Sequence, residues 1–322
     1  MNALKISAFA IASLLVACGG PKEKTEGTKT LSGEVKIDGS STVYPITEAV
    51  AEEFRAVQPD IKVTVGLSGT GGGFKKFTRG EIDINNASRT IKQEESEAAT
   101  TSKIGYLELK VAYDGLTVVV NPENNFVNDM TVEELKMMWA PEAQGKITKW
   151  SQVRAGWPNE EFRLYGAGTE SGTYDYFTEA VVGKSHSSRG DFTASEDDNV
   201  LVKGVSTDKN GLAFFGYAYY EENAAKLKAI GIDDGKAENG AGPIKPTLET
   251  VKNKSYAPLS RPLYIYVNST AVQRPEVAEF IRFYLKNAGT LSADVGFIPM
   301  TEAEYKAEMD KFEAFMKEHT AK

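Results

Sequence analysis

The sequence holds one cysteine, Cys18, and two histidines, His186 and His319, in 322 residues. A single thiol cannot build an intramolecular disulfide framework or a multi-thiolate metal site. Two imidazoles leave little material for a His-based metal site or a catalytic base. The chain also lacks any basic block. With 37 Lys+Arg against 45 Asp+Glu, its net charge of −8 argues against broad nucleic-acid binding. Long apolar runs are missing everywhere except the extreme N-terminus. At 41% hydrophobic and 25% charged residues the composition is that of an ordinary globular chain. That excludes wholesale disorder and a polytopic membrane protein. The length suits one large unit or two domains.

What is there begins with an address. Lys5 precedes the apolar run Ile6 to Ala17, which ends Leu15-Val16-Ala17-Cys18-Gly19-Gly20. The run is too short for a permanent span and fits a secretory signal over 1–17. Its end resembles the bacterial lipobox. That resemblance implies cleavage before Cys18, whose thiol and new amino group would carry fatty acyl chains such as palmitate. Several chains anchor stably where one is marginal. The alternative is a plain signal peptide with an incidental cysteine. Residues 18–32 are polar, without apolar periodicity, and read as a flexible tether.

The body alternates strands and helices, which predicts an α/β chain with mostly parallel sheets. Strands are expected at Glu34–Ile37, Ile61–Val65, Ile82–Asn86, Leu116–Val120, Phe162–Tyr165, Leu212–Phe215 and Leu263–Val267. Helices are expected over Thr42–Val57, Thr131–Trp139, Thr173–Val182, Tyr217–Ile230 and Pro275–Lys286. Gly231–Thr250 reads as a surface loop. The charged tail from Thr301 reads as a helix docked on the body through Tyr305, Met309, Phe312 and Met316.

Three segments between a strand and a helix could hold an anion. They are Asp38-Gly39-Ser40-Ser41-Thr42, Ser68-Gly69-Thr70-Gly71-Gly72-Gly73 and Gly166-Ala167-Gly168-Thr169-Glu170-Ser171-Gly172-Thr173. Each offers hydroxyls, glycines and the unpaired N–H groups of a helix start. Taken singly, each is also an ordinary cap or turn. Nucleotide and hydrolase readings fare badly. None of the loops spells the Walker sequence or G-x-G-x-x-G, and Gly168 to Gly172 is not a nucleophile elbow. A serine hydrolase would also want a histidine. His186 lies in a polar, exposed-looking stretch and His319 in the charged tail.

In order, Asp38 to Pro45, the Gly-Thr-Gly-Gly-Gly loop, Asn86-Ala87-Ser88-Arg89 and Ser171-Gly172-Thr173 resemble the PstS-type phosphate-binding lipoproteins of bacterial phosphate ABC importers. The likeness covers roughly residues 33 to 300. It implies an α/β, two-lobed periplasmic binding protein fold (type II) with the ligand cleft between lobes. Lobe I would comprise 33–117 plus 266–322, and lobe II 118–265. It implies extracytoplasmic capture of phosphate by cleft closure and delivery to ABC permease subunits in the inner membrane. It also implies a monomer with no cofactor and no catalytic step. Carried over residue by residue, Ser41, Thr42, Thr70, Ser88, Ser171, Gly172 and Thr173 would bind the anion.

Two positions depart from the family pattern. Arg89 stands where an Asp is usual, and Ala167 where an Arg is usual. Arg89 is therefore expected to supply the guanidinium from the other lobe, the alternative being a rim salt bridge. The carboxylate that would accept the proton of hydrogen phosphate is then unassigned among Asp38, Glu170, Asp197 and Asp198. Arg189 could be a second cation. The competing readings are a binder of another oxyanion such as sulfate or molybdate, a phosphate-ester hydrolase, and a structural lipoprotein.

Overall fold

The structure is a computed structural model and describes residues 31–169, 171–195 and 197–320. The signal peptide, Cys18, most of the tether and Glu170 lie outside the described residues.

The chain opens with β1 (Gly33–Gly39), α1 (Tyr44–Val57), β2 (Ile61–Val65), α2 (Gly69–Phe77), β3 (Ile84–Ala87) and α3 (Gln93–Thr101). A long strand, β4 (Tyr106–Val120), leads into β5 (Asp129–Thr131), α4 (Val132–Trp139), α5 (Trp150–Val153), β6 (Arg163–Ala167) and α6 (Gly172–Phe177). Then come β7 (Thr193–Ser195), α7 (Asp198–Thr207), β8 (Gly211–Gly216), α8 (Tyr217–Asn223), β9 (Lys228–Ala229), β10 (Gly231–Asp233) and α9 (Leu248–Lys252). The chain returns through β11 (Ser260–Asn268), α10 (Pro275–Asp294) and α11 (Glu302–Thr320).

Local sequence explains the first unit. Val35 and Ile37 alternate inward on β1, and Ile46, Val50 and Phe54 bury one face of α1 at four-residue spacing. Pro45 sits in the first turn of α1, where a missing N–H costs nothing. In the second unit, Thr131 caps α4. Its hydroxyl accepts from the Glu134 N–H and the Glu134 carboxylate takes the Thr131 N–H back.

The strands run β2-β1-β3-β11-β4-β8-β6-β7 in one curled sheet, with β9 also paired to β4. Pairing within each lobe is largely parallel, as β1 with β2 and β3 and β6 with β7 and β8 show. The crossing strands are antiparallel, so the sheet is mixed. β4 joins the two lobes. Its first part pairs with β11, and Leu116–Val120, fully buried, pairs with β8. Residues 260–265, assigned from sequence to lobe II, pair with β3 and β4 in the first lobe, and Leu263 and Ile265 pack in its core.

Each lobe has its own large core. One gathers α1, α10 and the inner strands. The other gathers Trp139, Trp150, Phe177 and Phe214. The tryptophans are thus packing residues. α11 docks on the first core, with Phe312 fully buried and Tyr305, Met309 and Met316 beside it. Two predicted elements differ. α8 ends at Asn223, and the chain passes through a 3-10 turn to β9. Gly231–Thr250 is not all loop, since β10 pairs with β5 and Thr247 caps α9.

Candidate functional site

The first lobe organises its loops around one carboxylate. Asp38, at the end of β1, accepts from the Gly39 N–H at 2.7 Å, the Ser68 N–H at 2.9 Å, the Ser68 hydroxyl at 2.6 Å and the Lys76 ammonium. Burial works to raise this carboxyl. The Lys76 and Ser68 side chains and the Gly39 amide outweigh it and hold the pKa below the usual carboxylate value. The bonds tie the β1–α1 loop to the start of α2. Gly39 permits it, because its φ of +133° suits glycine and a Cβ there would lie 2.2 Å from the Asn86 carbonyl oxygen. Across the same face, the Thr70 hydroxyl lies 3.1 Å from that of Ser88 and accepts the Ser88 N–H at 3.2 Å.

The second lobe brings α6. Ser171 is its N-cap, and its hydroxyl accepts the Thr173 N–H at 3.1 Å. Gly172 rests on the backbone of Ser41 and Thr42, and a Cβ there would come within 2.8 Å of Thr42 Cα. Two side chains bridge the lobes at this contact. The Thr42 hydroxyl donates to the Gly172 carbonyl at 3.4 Å, and the Ser41 hydroxyl donates to Asp175 Oδ2 at 2.7 Å.

Between the lobes lies a cavity of about 230 Å³. The first lobe lines it with Ser40 to Thr42, Gly69 to Gly71, Ser88, Arg89 and Lys92. The second contributes Asp175, Tyr176, Glu179 and Ser185, and the crossing strand β11 contributes Arg261. Both arginines are backed by a carboxylate that does not line the cavity. Arg89 binds Glu95 through both Nη atoms at 2.8 Å each. Those bonds raise the guanidinium pKa. Burial opposes ionisation of Glu95, but the Arg89 and Lys92 contacts prevail and lower its pKa. Arg261 Nε donates to Asp114 Oδ2 at 3.2 Å, and Nη2 donates to the Thr42 hydroxyl at 2.9 Å. Its guanidinium carbon lies 3.4 Å from the centre of the Tyr176 ring. Asp114 is deeply buried, and that burial raises its carboxyl pKa, against the pull of Arg261. The wall therefore presents hydroxyls and guanidinium edges beside the carboxylates of Asp175 and Glu179, a set that can both donate to a small oxyanion and accept a proton from it.

The predicted residues divide into two groups. Ser41, Thr42, Thr70, Ser88 and Arg89 line the cavity together. Ser171, Gly172 and Thr173 stand at the contact between lobes, beside Ser41 and Thr42 but not on the cavity wall. Of the candidate acceptors, Asp38 is engaged by its own loops, and Asp197 caps α7 through the Asn199 N–H. Asp198 opens α7 in the same region. Arg189 is buried in the second lobe. It binds Asp191 and the carbonyls of Met138 and Ile147, away from the cavity. Ala167 is buried in the core of the second lobe. His186 is exposed, with Nε2 3.0 Å from Asp175 Oδ1.

Asp114, Asp175 and Arg261 were not singled out by sequence. Arg261 and Asp114 are register partners on β11 and β4, 147 residues apart in the chain. Asp175 lies four residues past the Ser171 cap, inside a predicted helix. The only sequence signal for it was its proximity to Ser171-Gly172-Thr173. Among the described residues, no three His, Cys, Asp or Glu side chains cluster so as to hold a metal, and no helix is long and apolar enough to cross a membrane.

Residues 24–288 match the PBP superfamily domain. The chain is 52% identical over 280 residues to Protein SphX of Synechococcus elongatus, covering 86% of this chain and 81% of that one. It is 40% identical over 306 residues to the phosphate-binding protein PstS of Staphylococcus aureus, covering 94% and 89%. The crystal structure of a possible phosphate binding protein from Planctomyces limnophilus matches with a TM-score of 0.85 and 48% identity, covering 88% of this chain and 99% of that one.

Proposed function

The chain belongs to the PBP superfamily and, within it, to the family of the SphX and PstS proteins, and on that premise we propose that it captures inorganic phosphate outside the cytoplasm and hands it to an ABC-type import permease. One observation carries this reading. Hydroxyl-rich loops of the first lobe face the second lobe across a small cavity, and its two arginines, Arg89 and Arg261, each have their counter-charge behind the wall. A free oxyanion can therefore face guanidinium and hydroxyl donors, which suits phosphate.

In this reading Ser41, Thr42, Thr70 and Ser88 donate to the anion from the first lobe, with Arg89 beside them. Ser171, Gly172 and Thr173 close from the second lobe, where Gly172 meets Thr42. Hinge closure around the ligand is the physical step, and no bond is made or broken. Asp175 takes the role of proton acceptor. It lines the cavity and already accepts the Ser41 hydroxyl. Fully ionised sulfate would set two acceptors against each other at such a carboxylate, which gives discrimination. The protein acts as a monomer without enzymatic activity. Its Cys18 carries the lipid that holds it to the membrane after removal of residues 1–17, with 18–32 as the tether.

Calorimetric titration of phosphate, repeated in excess sulfate, tests the reading. One-to-one binding that survives sulfate supports it. Binding abolished by sulfate or molybdate moves the chain to another oxyanion. Turnover of a phosphate monoester would replace binding with hydrolysis. Replacing Cys18 with Ser should release the protein from the membrane fraction.

A further inference from the structure

Arg89 and Arg261 both line the cavity, but their guanidinium groups are differently engaged. The Nη1/Nη2 edge of Arg89 is taken, which leaves Nε–H and one Nη2 hydrogen. Nη1 and Nη2 grip the two oxygens of Glu95, and Nη1 also donates to the Thr90 carbonyl at 3.1 Å. The fork of Arg261 is open. Nε goes to Asp114 and one Nη2 hydrogen to Thr42, which leaves about three of the five N–H donors of an arginine without a partner among the described residues.

Arg261 is also the more firmly held. Register places it opposite Asp114 on the two strands that cross between lobes, so the ion pair is built into the crossing itself. The Tyr176 ring covers one face of the guanidinium. Tyr176 belongs to the second lobe, and its hydroxyl is anchored on the Pro258 carbonyl at 2.7 Å. Thr42 belongs to the first lobe. The side chain of Arg261 is 12% exposed. It therefore touches the first lobe, the second lobe and the cavity at once.

We propose that Arg261 is the principal guanidinium ligand of the bound anion and the residue that couples anion binding to lobe closure. The inference rests on the phosphate reading and deepens it. A guanidinium can stack its face on an aromatic ring while its edge donates in plane to an oxyanion. In the closed arrangement Tyr176 lies on the face and Thr42 on the edge, so the anion completes a set of contacts that only the closed lobes supply. Asp114 orients the group and balances its charge when no anion is present. Lysine offers neither the plane nor the fork. Arg89 has its Nη1/Nη2 edge gripped by Glu95 and keeps only Nε–H and one Nη2 hydrogen for an anion, from one lobe alone.

The test compares phosphate titrations of the full chain with those of Arg261→Lys, Arg261→Gln and the double variant Asp114→Asn/Arg261→Gln. The double variant leaves no lone buried charge and so guards against simple misfolding. A second readout is the phosphate-induced rise in melting temperature, measured against each variant's own anion-free value. Expected are losses of affinity of about a hundredfold in the Gln variants and about thirtyfold in the Lys variant, on the scale of a lost charge-assisted pair. The phosphate-induced stabilisation at fixed phosphate should shrink with them, while Arg89→Ala loses only about tenfold. Wild-type affinity in Arg261→Lys or in the double variant would overturn the inference while leaving phosphate binding intact. A wild-type chain that binds no phosphate would overturn the functional reading and this inference with it.

Discussion

Gly172 of the second lobe lies so close to Thr42 of the first that a single added methyl group would stand 2.8 Å from Thr42 Cα and 2.9 Å from its nitrogen. The contact is backbone to backbone, and no flexible side chain can move aside. It is a point of close approach between the two lobes, and it lies next to the cavity that Ser41 and Thr42 line.

Gly172→Ala should therefore hold the lobes apart. Alanine suits the first turn of α6 at least as well as glycine, so anion-free stability should change by no more than about 1 kcal/mol. Phosphate affinity should fall about tenfold or more, because closure is where the binding contacts form. Calorimetry paired with melting curves separates the two effects. Unchanged affinity would show that the lobes need not meet here.

Asp175 should decide which oxyanion is accepted. It takes the Ser41 hydroxyl at 2.7 Å and faces the cavity. Asp175→Asn turns part of an acceptor into a donor and removes a charge. Phosphate affinity should fall while sulfate affinity rises, narrowing their ratio about tenfold or more. Competition titrations with both anions measure the ratio directly. A ratio equal to that of the wild type would place the acceptor elsewhere.

Arg89 and Glu95 should behave as a unit. Each is part-buried, and each stabilises the charged form of the other. Arg89→Ala alone leaves Glu95 without its partner, so it should cost more stability than the double variant with Glu95→Gln, by about 1 kcal/mol. The pH dependence follows from Glu95. Its folded pKa is lowered, so the stabilisation is present above the unfolded value of 4.5 and is lost as pH falls through the folded value. Denaturant titrations of Arg89→Ala, Glu95→Gln and the double variant at neutral and acid pH give the coupling. Additive single effects would remove the pair from the account.

How much of this was legible in the sequence depends on the range of the interaction. α1, β2 and the capped α4 follow from local periodicity, a proline and a capping box, and the structure has them where residue pattern put them. The hydroxyls of Ser41, Thr42, Thr70 and Ser88 were legible because loops between strand ends and helix starts share one edge of an α/β sheet. The end of α8 was not. Leu227 and Ile230 are spaced as well for a helix face as for a strand end, and pairing of β9 with Val119 and Val120 decides the matter. Arg261 was hidden for a related reason. Nothing near it in sequence calls for a cation, and only the register of β11 on β4 sets it against Asp114.

The docked tail supplies the last test. At the start of α11, Glu304 accepts from the Tyr113 hydroxyl at 2.5 Å, the Lys110 ammonium at 3.1 Å and the Thr301 N–H at 2.9 Å. Burial works against its ionisation, but these donors prevail and bring the carboxyl down to about 2, from 4.5. A carboxylate lowered in this way contributes stability that is complete above about pH 4.5 and disappears as pH falls towards 2. The side chain is 32% exposed, so solvent screening cuts the contribution to about 1–2 kcal/mol. Glu304→Gln should lose that amount at pH 7 and clearly less at pH 2.5, where the unfolded carboxyl is protonated and the folded one, with its pKa about 2, is partly so. Because Phe312 anchors the same helix in the core of the first lobe, the loss should appear in global unfolding and not as a separate melting of α11. Denaturant unfolding at the two pH values measures both points. An equal loss at pH 7 and pH 2.5 would assign the effect to packing around Tyr113 and not to the charge of Glu304.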